Sequence, residues 1–312
     1  MNRIGYWLNG ERVTGDATTA FEPVRAPFDG ATISEAAQAP ATAVEAAILG
    51  MTESFTALKR RPAYQRARTC AHVRDALEKR AEEFARSIAY EAGKPLRTAR
   101  GEVARALSTF HLAAEEATRI SGEQLPVDID ARGAGYWALV ERFPIGPCAF
   151  ITPFNFPLNL VAHKVAPALA CGCPFVVKPS ERTPLTALLL GELLAECDLP
   201  RGSWHVLPCP RDVAGALVRD ERVKLLSFTG SPSVGFAMKT DAGKKAVVLE
   251  LGNDSAVVVE PETNLDDAAA RIVPATFGYA GQSCISVQRI YLHESIADAA
   301  TRCLVDLAAK LI

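Results

Sequence analysis

The chain has 312 residues, 49% of them hydrophobic and 22% charged, with a formal net charge of −2 and a sequence pI near 6.3. That is globular composition, with material for a core and length for about two domains. It lacks the excess of positive charge that electrostatic binding of nucleic acid requires.

The first residues, MNRIGYWLNGERVTG, carry no apolar stretch of the kind a signal sequence needs, so a cytoplasmic setting is expected. The longest apolar stretches, Val161–Val177 and Leu185–Leu199, are broken by Pro, Gly, Lys or Glu. Neither reads as a membrane span. Eight cysteines are scattered along the chain, at positions 70, 148, 171, 173, 197, 209, 284 and 303. They are expected to be reduced and mostly buried. Cys171-Gly172-Cys173 has one residue between its thiols and no paired His or Cys spacing accompanies it, so no metal is expected.

In chain order, Tyr6–Val13 predicts a hairpin turning at Asn9-Gly10, a type I′ signal. A helical region follows from about Ala41 to Ile120. In it Ala67, Cys70, Ala71, Leu77, Ala81, Phe84, Ala85 and Ile88 fall on one face of a helix that stops at Gly93-Lys94-Pro95. A second helix is predicted over about Leu96–Arg119. Tyr136–Phe143 (YWALVERF) reads as a strand. Short apolar strands then alternate with helices. The strands are Cys148–Thr152, Pro174–Lys178, Trp204–Leu207, Val223–Phe228 and Val247–Glu250. The helices are Leu158–Ala170, Pro184–Cys197, Val213–Arg219 and Pro232–Thr240. The alternation argues for an α/β fold, a doubly wound parallel sheet with helices on both faces. A strand at Ala256–Val259, a helix at Leu265–Phe277, a strand at Val287–Leu292 and a helical pattern over Ala297–Ile312 open a second α/β domain.

Several segments carry chemistry, and each has a plainer reading. Cys284 lies in a small-residue loop, Gly281-Gln282-Ser283-Cys284, as an accessible thiol or an ordinary one. Glu250 ends an apolar strand, at the edge where open α/β sheets bind ligands, and is a base or a structural carboxylate. Asn155 sits in a loop stiffened by Pro153 and Pro157, as an oxyanion donor or a turn residue. Phe228-Thr229-Gly230-Ser231 joins a strand to a helix that Pro232 opens. It reads as a phosphate site or a simple turn, though no GxGxxG or GxxxxGK[ST] pattern is present. Lys178 and Glu181 end another strand, able to hold ribose hydroxyls or to form a solvated pair.

Taken in order, Glu91-Ala92-Gly93-Lys94-Pro95, Thr152–Pro157 (TPFNFP), Val177–Glu181 (VKPSE), Phe228–Ser231 (FTGS), Leu249–Gly252 (LELG) and Gly281–Cys284 (GQSC) resemble the aldehyde dehydrogenase superfamily, with Cys284 following Glu250 by 34 residues as in that family. The resemblance covers nearly the whole chain. It implies a Rossmann-like NAD-binding domain over 1–251, with an N-terminal helical region and an oligomerisation-type strand near 136–143, and the N-terminal part of a catalytic domain over 252–312. It implies oxidation of an aldehyde, small or short-chain, to a carboxylic acid. Cys284 would attack as thiolate, and the Asn155 amide with the Cys284 backbone N–H would hold the oxyanion. Glu250 would then activate water to release the acid. Ile151, Thr152, Pro153 and Phe154 would line the cofactor cleft. Lys178, Ser180 and Glu181 would face the adenosine ribose, Gly230, Ser231 and Val234 the pyrophosphate, and Leu251 the nicotinamide. A carboxylate at Glu181 favours NAD over NADP, which stays possible, because it repels a 2′-phosphate. Gln282, Ser283, Ile285, Phe156 and Leu158 suggest a largely uncharged mouth, and Gly281–Arg289 is similar to members acting on small aldehydes. Arg289 is alternatively a plain strand residue with a solvated head.

Three departures stand out. The family's second glycine after LELG is Asn253 here, which tolerates left-handed backbone better than most residues. Its glycine near the adenine pocket is Cys209, narrowing that edge. The later Glu-x-Phe-Gly-Pro motif, most of the catalytic domain and the C-terminal oligomerisation strand are missing. A partner for the strand at 136–143 is therefore expected to be absent, and the chain alone to be poorly active. The family's full-length form implies a homo-oligomer. The alternatives are a fragment keeping only nucleotide binding, a CoA-acylating semialdehyde dehydrogenase, and a cysteine hydrolase without a nicotinamide cofactor.

Overall fold

A computed structural model describes residues 2–311. The chain forms two compact units. One runs through Thr229 and takes up Phe236–Leu249 again, and the other comprises Gly230–Gly235 with the chain from Glu250 on.

The first unit begins with five short strands, β1 (Arg3–Ile4), β2 (Tyr6–Leu8), β3 (Glu11–Val13), β4 (Phe21–Arg25) and β5 (Thr32–Ala37). The β2–β3 hairpin turns as the sequence predicts, with Asn9 at φ 55° and Gly10 at φ 80°, the pair of positive values a type I′ turn needs. β1, β5 and β4 form a three-stranded sheet that the sequence did not announce, since Pro23 and an Ala-rich run hide its alternation. Four helices follow, α1 (Ala41–Leu58), α2 (Ala63–Lys79), α3 (Ala81–Ala92) and α4 (Leu96–Glu116). The single helix expected before Gly93 is broken at Arg80 (φ −108°, ψ 17°), yet its apolar face holds across the break. Cys70, Leu77, Phe84, Ala85 and Ile88 are all fully buried. Gly93 closes α3 at φ 66°, and a Cβ there would press on Pro27 at 3.1 Å.

The strand expected at 136–143 is shorter, β7 (Trp137–Val140), and it has a partner within the chain. β6 (Glu123–Pro126) pairs with it antiparallel in a two-stranded sheet. β6 is exposed at all four positions and so gives no apolar pattern to read.

Next come β8 (Cys148–Ile151), α5 (Asn159–Cys171), β9 (Phe175–Lys178), α6 (Leu185–Ala195), β10 (Trp204–Val206), α7 (Arg211–Arg219), β11 (Leu225–Gly230), α8 (Pro232–Asp241) and β12 (Ala246–Leu251). They alternate as the sequence predicts. The seven-stranded sheet has the order β12-β11-β8-β9-β10-β2-β3, and β11, β8, β9 and β10 run parallel. This is a Rossmann-type sheet, with the hairpin adding two antiparallel strands at one edge. β8 and β9 are buried throughout, as strands covered on both faces must be.

The second unit contains β13 (Ala256–Val259), α9 (Leu265–Phe277), β14 (Arg289–Leu292) and α10 (Ala297–Ala308). β13 and β14 pair parallel, with Ala256 opposite Arg289 and Val259 opposite Leu292. Asn264 caps α9 by accepting the Asp267 N–H at 3.1 Å. The helical expectation reached Ile312, which lies outside the described residues; α10 itself ends at Ala308. Among the described residues no helix is long and apolar enough to cross a membrane.

Candidate active site

In the first unit the strand order reverses at β8. β9 and β10 are laid down on one side of it, β11 and β12 on the other. A crevice opens outside the carboxyl ends of strands at such a switch point. Ile151 lies opposite both Lys178 and Phe228, so three strand ends stand side by side. Ile151, Thr152, Pro153 and Phe154 leave the sheet here. The Thr152 N–H donates to the Lys178 carbonyl at 3.1 Å, tying two chain exits together. The Phe154 carbonyl accepts the Thr183 hydroxyl at 3.3 Å, and the Arg182 guanidinium lies 5.4 Å from the Phe154 ring centre. Asn155 follows, half-buried.

Lys178 and Glu181 form a pair that is solvated only on the Glu181 side. The lysine is 6% exposed, and its ammonium reaches the Glu181 carboxylate at 3.1 Å on the exposed lip. Half-buried Ser180 accepts the Arg182 N–H at 3.2 Å. Thr229, at the end of β11, has a buried hydroxyl oxygen without a protein partner. A lip with cations, a carboxylate and an uncommitted buried hydroxyl suits a polar ligand with ribose and phosphate groups. Cys209 is fully buried, and burial pushes its thiol up to about 11. Burial also drives the Cys70 and Cys197 thiols up to about 12, which leaves them poor nucleophiles.

Beneath this edge lies a cluster whose bracing role sequence reasoning passed over. Glu102 of α4 accepts the Leu158 and Asn159 N–H groups at 2.9 and 3.1 Å. It also pairs with Lys94 at 2.5 Å, with both side chains at most 1% exposed. The Lys94 ammonium sits 3.5 Å from the centre of the Phe156 ring. Half-buried Phe156 is thereby anchored, while Leu158 is fully buried and so lines no mouth. Glu91 accepts the Leu185 and Thr186 N–H groups of α6 at 2.7 and 2.9 Å. One signal was available, because Glu102 shares the helical stripe of Ala99, Val103 and Ala106.

In the second unit, Ser231 precedes α8 and its carbonyl accepts the Gly235 N–H at 3.0 Å. Ser231 and Val234 are exposed beside Gly230, at the N-terminus of a ten-residue helix. Glu250 and Leu251 close β12, with Glu250 exposed. Gly252 comes next to Pro232, where an added Cβ would lie 3.8 Å from the ring.

The approach to Cys284 is strained. Tyr279 and Ala280 both take left-handed backbone at φ 54°, followed by Gly281 at φ 72°. Non-glycine residues hold such values at a cost of about 1–3 kcal/mol each, a pattern common near functional sites. Buried Ser286 steadies the far side by donating to the Thr276 carbonyl at 2.9 Å. Cys284 itself is exposed. The Asn253 side chain crosses between loops, donating to the Cys284 carbonyl while accepting the Ser255 N–H. Asn253 is not in the left-handed region, so the turn does not use the tolerance its residue type suggested. Arg289 is an exposed strand residue, as the plainer reading expects, though its head has partners. It pairs with the Asp254 carboxylate at 2.9 Å and donates to the Tyr291 hydroxyl at 3.0 Å. Gln282 and Ile285 are exposed and Ser283 is half-buried. Among the described residues no group of three or more His, Cys, Asp or Glu could hold a metal.

One unit thus carries a sheet edge of the kind where open α/β folds bind ligands, and the other an exposed thiol loop tied to the stretch that follows Glu250. Comparison with known proteins narrows this. Residues 13–312 match the profile of the aldehyde dehydrogenase family, and the chain belongs to that family. It is 44% identical over 250 residues to 3-sulfolactaldehyde dehydrogenase from Priestia aryabhattai, covering 80% of this chain and 52% of that one. Among solved structures it is similar to aldehyde dehydrogenase 21 from Physcomitrella patens in complex with the reaction product succinate. The TM-score is 0.95 and the identity 42%, over 99% of this chain and 64% of the other. The NADP-dependent glyceraldehyde-3-phosphate dehydrogenase from Bacillus halodurans, complexed with NADP, gives a TM-score of 0.95 at 32% identity, over 100% and 65%. The chain thus spans about half to two thirds of the length of these relatives.

Proposed function

We propose that this chain carries out, or forms the cofactor-side part of, the NAD(P)-dependent oxidation of a short aldehyde to its carboxylic acid. The observation that carries the reading is the Asn253 side chain, which binds the Cys284 carbonyl three residues after Glu250. It couples a strand end bearing a base to a loop bearing an exposed nucleophile. Cys284, as thiolate, attacks the aldehyde carbon, and the carbonyl oxygen becomes an oxyanion. The Asn155 amide and the Cys284 backbone N–H donate to that oxygen. Bound nicotinamide supplies the acceptor for the hydride that leaves the adduct. Glu250 takes a proton from water, which attacks the thioester on Cys284 and frees the acid. A water-activating carboxylate favours this hydrolytic outcome over transfer to CoA.

Lys178, Ser180 and Glu181 hold the adenosine ribose, with Ile151, Thr152, Pro153 and Phe154 along the cleft. Gly230, Ser231 and Val234 face the pyrophosphate, and Leu251 faces the nicotinamide. Glu181 favours NAD. Its contact with Lys178 softens the repulsion of a 2′-phosphate, so the preference is graded rather than absolute. Glu181→Gln should raise the NADP-to-NAD ratio of kcat/KM by about tenfold, and an unchanged ratio would show that Glu181 does not face the 2′ position. The relatives' names make short anionic aldehydes the first substrates to try. A cytoplasmic, homo-oligomeric full-length enzyme completes the proposal.

The test is intact mass spectrometry of Glu250→Gln after mixing with aldehyde and NAD. An acyl adduct that accumulates on Cys284 supports the assignment. Acid release at the wild-type rate with no adduct overturns it.

A further inference from the structure

The loop carrying Asn155 is anchored on both sides of that residue. Thr152 is tied to Lys178 and Phe154 to Thr183. The Phe156 ring rests on the Lys94 ammonium, and the Leu158 and Asn159 N–H groups end on Glu102. The side chain at the N-cap of α5 offers no cap of its own, and neither does that of α6. Both helices are capped instead from one short stretch of chain, Glu102 serving α5 and Glu91 serving α6. The two loops so braced are those that leave β8 and β9 at the ligand edge.

A buried ion pair is a weak source of stability, because desolvation offsets much of the attraction, and an apolar pair of the same shape often serves as well. What charge does supply is direction. Glu102 fixes where the first turn of α5 points, and Lys94 fixes the ring next to Asn155. We infer that Lys94 and Glu102 are positioning residues, which hold the Asn155 amide at the spot where the oxyanion forms. The inference rests on the oxyanion role given to Asn155 above.

The experiment compares wild type, Asn155→Ala, Glu102→Ala, the double variant and Glu102→Gln. Two readouts are taken, kcat and KM for NADH formation and amide hydrogen exchange over 153–160. Glu102→Ala should lower kcat about tenfold or more with little change in the KM for NAD, because small misplacements of a catalytic group are costly. In the Asn155→Ala background the same change should cost less than about twofold. Glu102→Gln keeps an acceptor for the α5 N–H groups and should recover most of the loss, and it serves if the alanine variant does not fold. Exchange should quicken over 153–160 and not across the sheet. Equal kinetic factors in both backgrounds, or protection lost evenly over the sheet, overturn the inference and leave the proposed function standing. If Asn155→Ala costs nothing, the oxyanion role fails and the inference falls with it. A wild type without turnover defeats the functional reading, and exchange alone then decides whether Glu102 holds the loop.

Discussion

Replacing Glu91 by glutamine should remove a pH-dependent cost built into the cap of α6. Burial pushes the Glu91 carboxyl from its ordinary 4.5 up to about 7, with the Glu102 charge adding to the rise and the two α6 N–H bonds opposing it. Below about pH 4.5 the group is neutral in folded and unfolded chains alike. Between about 4.5 and 7 only the unfolded chain gives up its proton, so stability falls as pH rises, and above that it levels off. The full drop is about 3 kcal/mol. His205 masks it by running the other way. Its Nδ1 accepts the Asn9 N–H at 3.0 Å, its Nε2 lies 3.1 Å from the Gly202 carbonyl, and burial lowers it from 6.5 to about 4. That stability is present above about 6.5 and is lost as pH falls toward 4, again by about 3 kcal/mol. The wild-type profile alone therefore stays flat where the two cancel. The assay is urea unfolding of wild type and Glu91→Gln, followed by fluorescence of the buried Trp7–Trp204 pair. The wild-type minus variant difference should fall by about 2–3 kcal/mol from about pH 5 to about pH 8. A difference that does not change with pH refutes the reasoning.

Gly191→Ala would place a Cβ 2.3 Å from the Trp7 ring, whose indole N–H is already bound to the Leu188 carbonyl. Urea unfolding should show a loss of about 1–3 kcal/mol, and no loss would mean that Trp7 can move aside. Asn253→Gly restores the residue the family usually has and removes the tie to Cys284. Hydrogen exchange over 282–286 should quicken several-fold, roughly one hydrogen bond's worth, and unchanged exchange would show that the loop is held elsewhere.

Elements with their own period were readable in the sequence. The β8 to β12 alternation, the Asn9-Gly10 turn and the helix Leu265–Phe277 appear where pattern and turn chemistry place them. What was hidden depends on partners far along the chain. Trp7 meets Val206 to join the hairpin to the main sheet, and exposed β6 pairs with β7 without any apolar signature. The break at Arg80 leaves the helical stripe continuous, so periodicity alone could not mark it. The candidate site residues were given roles from motif resemblance, but their supports were not, even where Lys94 and Asn253 were named. Glu102 and Lys94 act across more than fifty residues on Leu158 and Phe156, and Asn253 reaches Cys284 from 31 residues away. Left-handed Tyr279 and Ala280 were also invisible, because neither residue type favours that backbone.

The central claim is that Cys284 is the nucleophile of an NAD(P)-dependent aldehyde oxidation. The most direct test follows NADH or NADPH formation by the purified chain with short aldehydes and anionic semialdehydes, beside Cys284→Ser. The account predicts weak turnover in the wild type and none detectable in the variant. Comparable turnover in Cys284→Ser would contradict it.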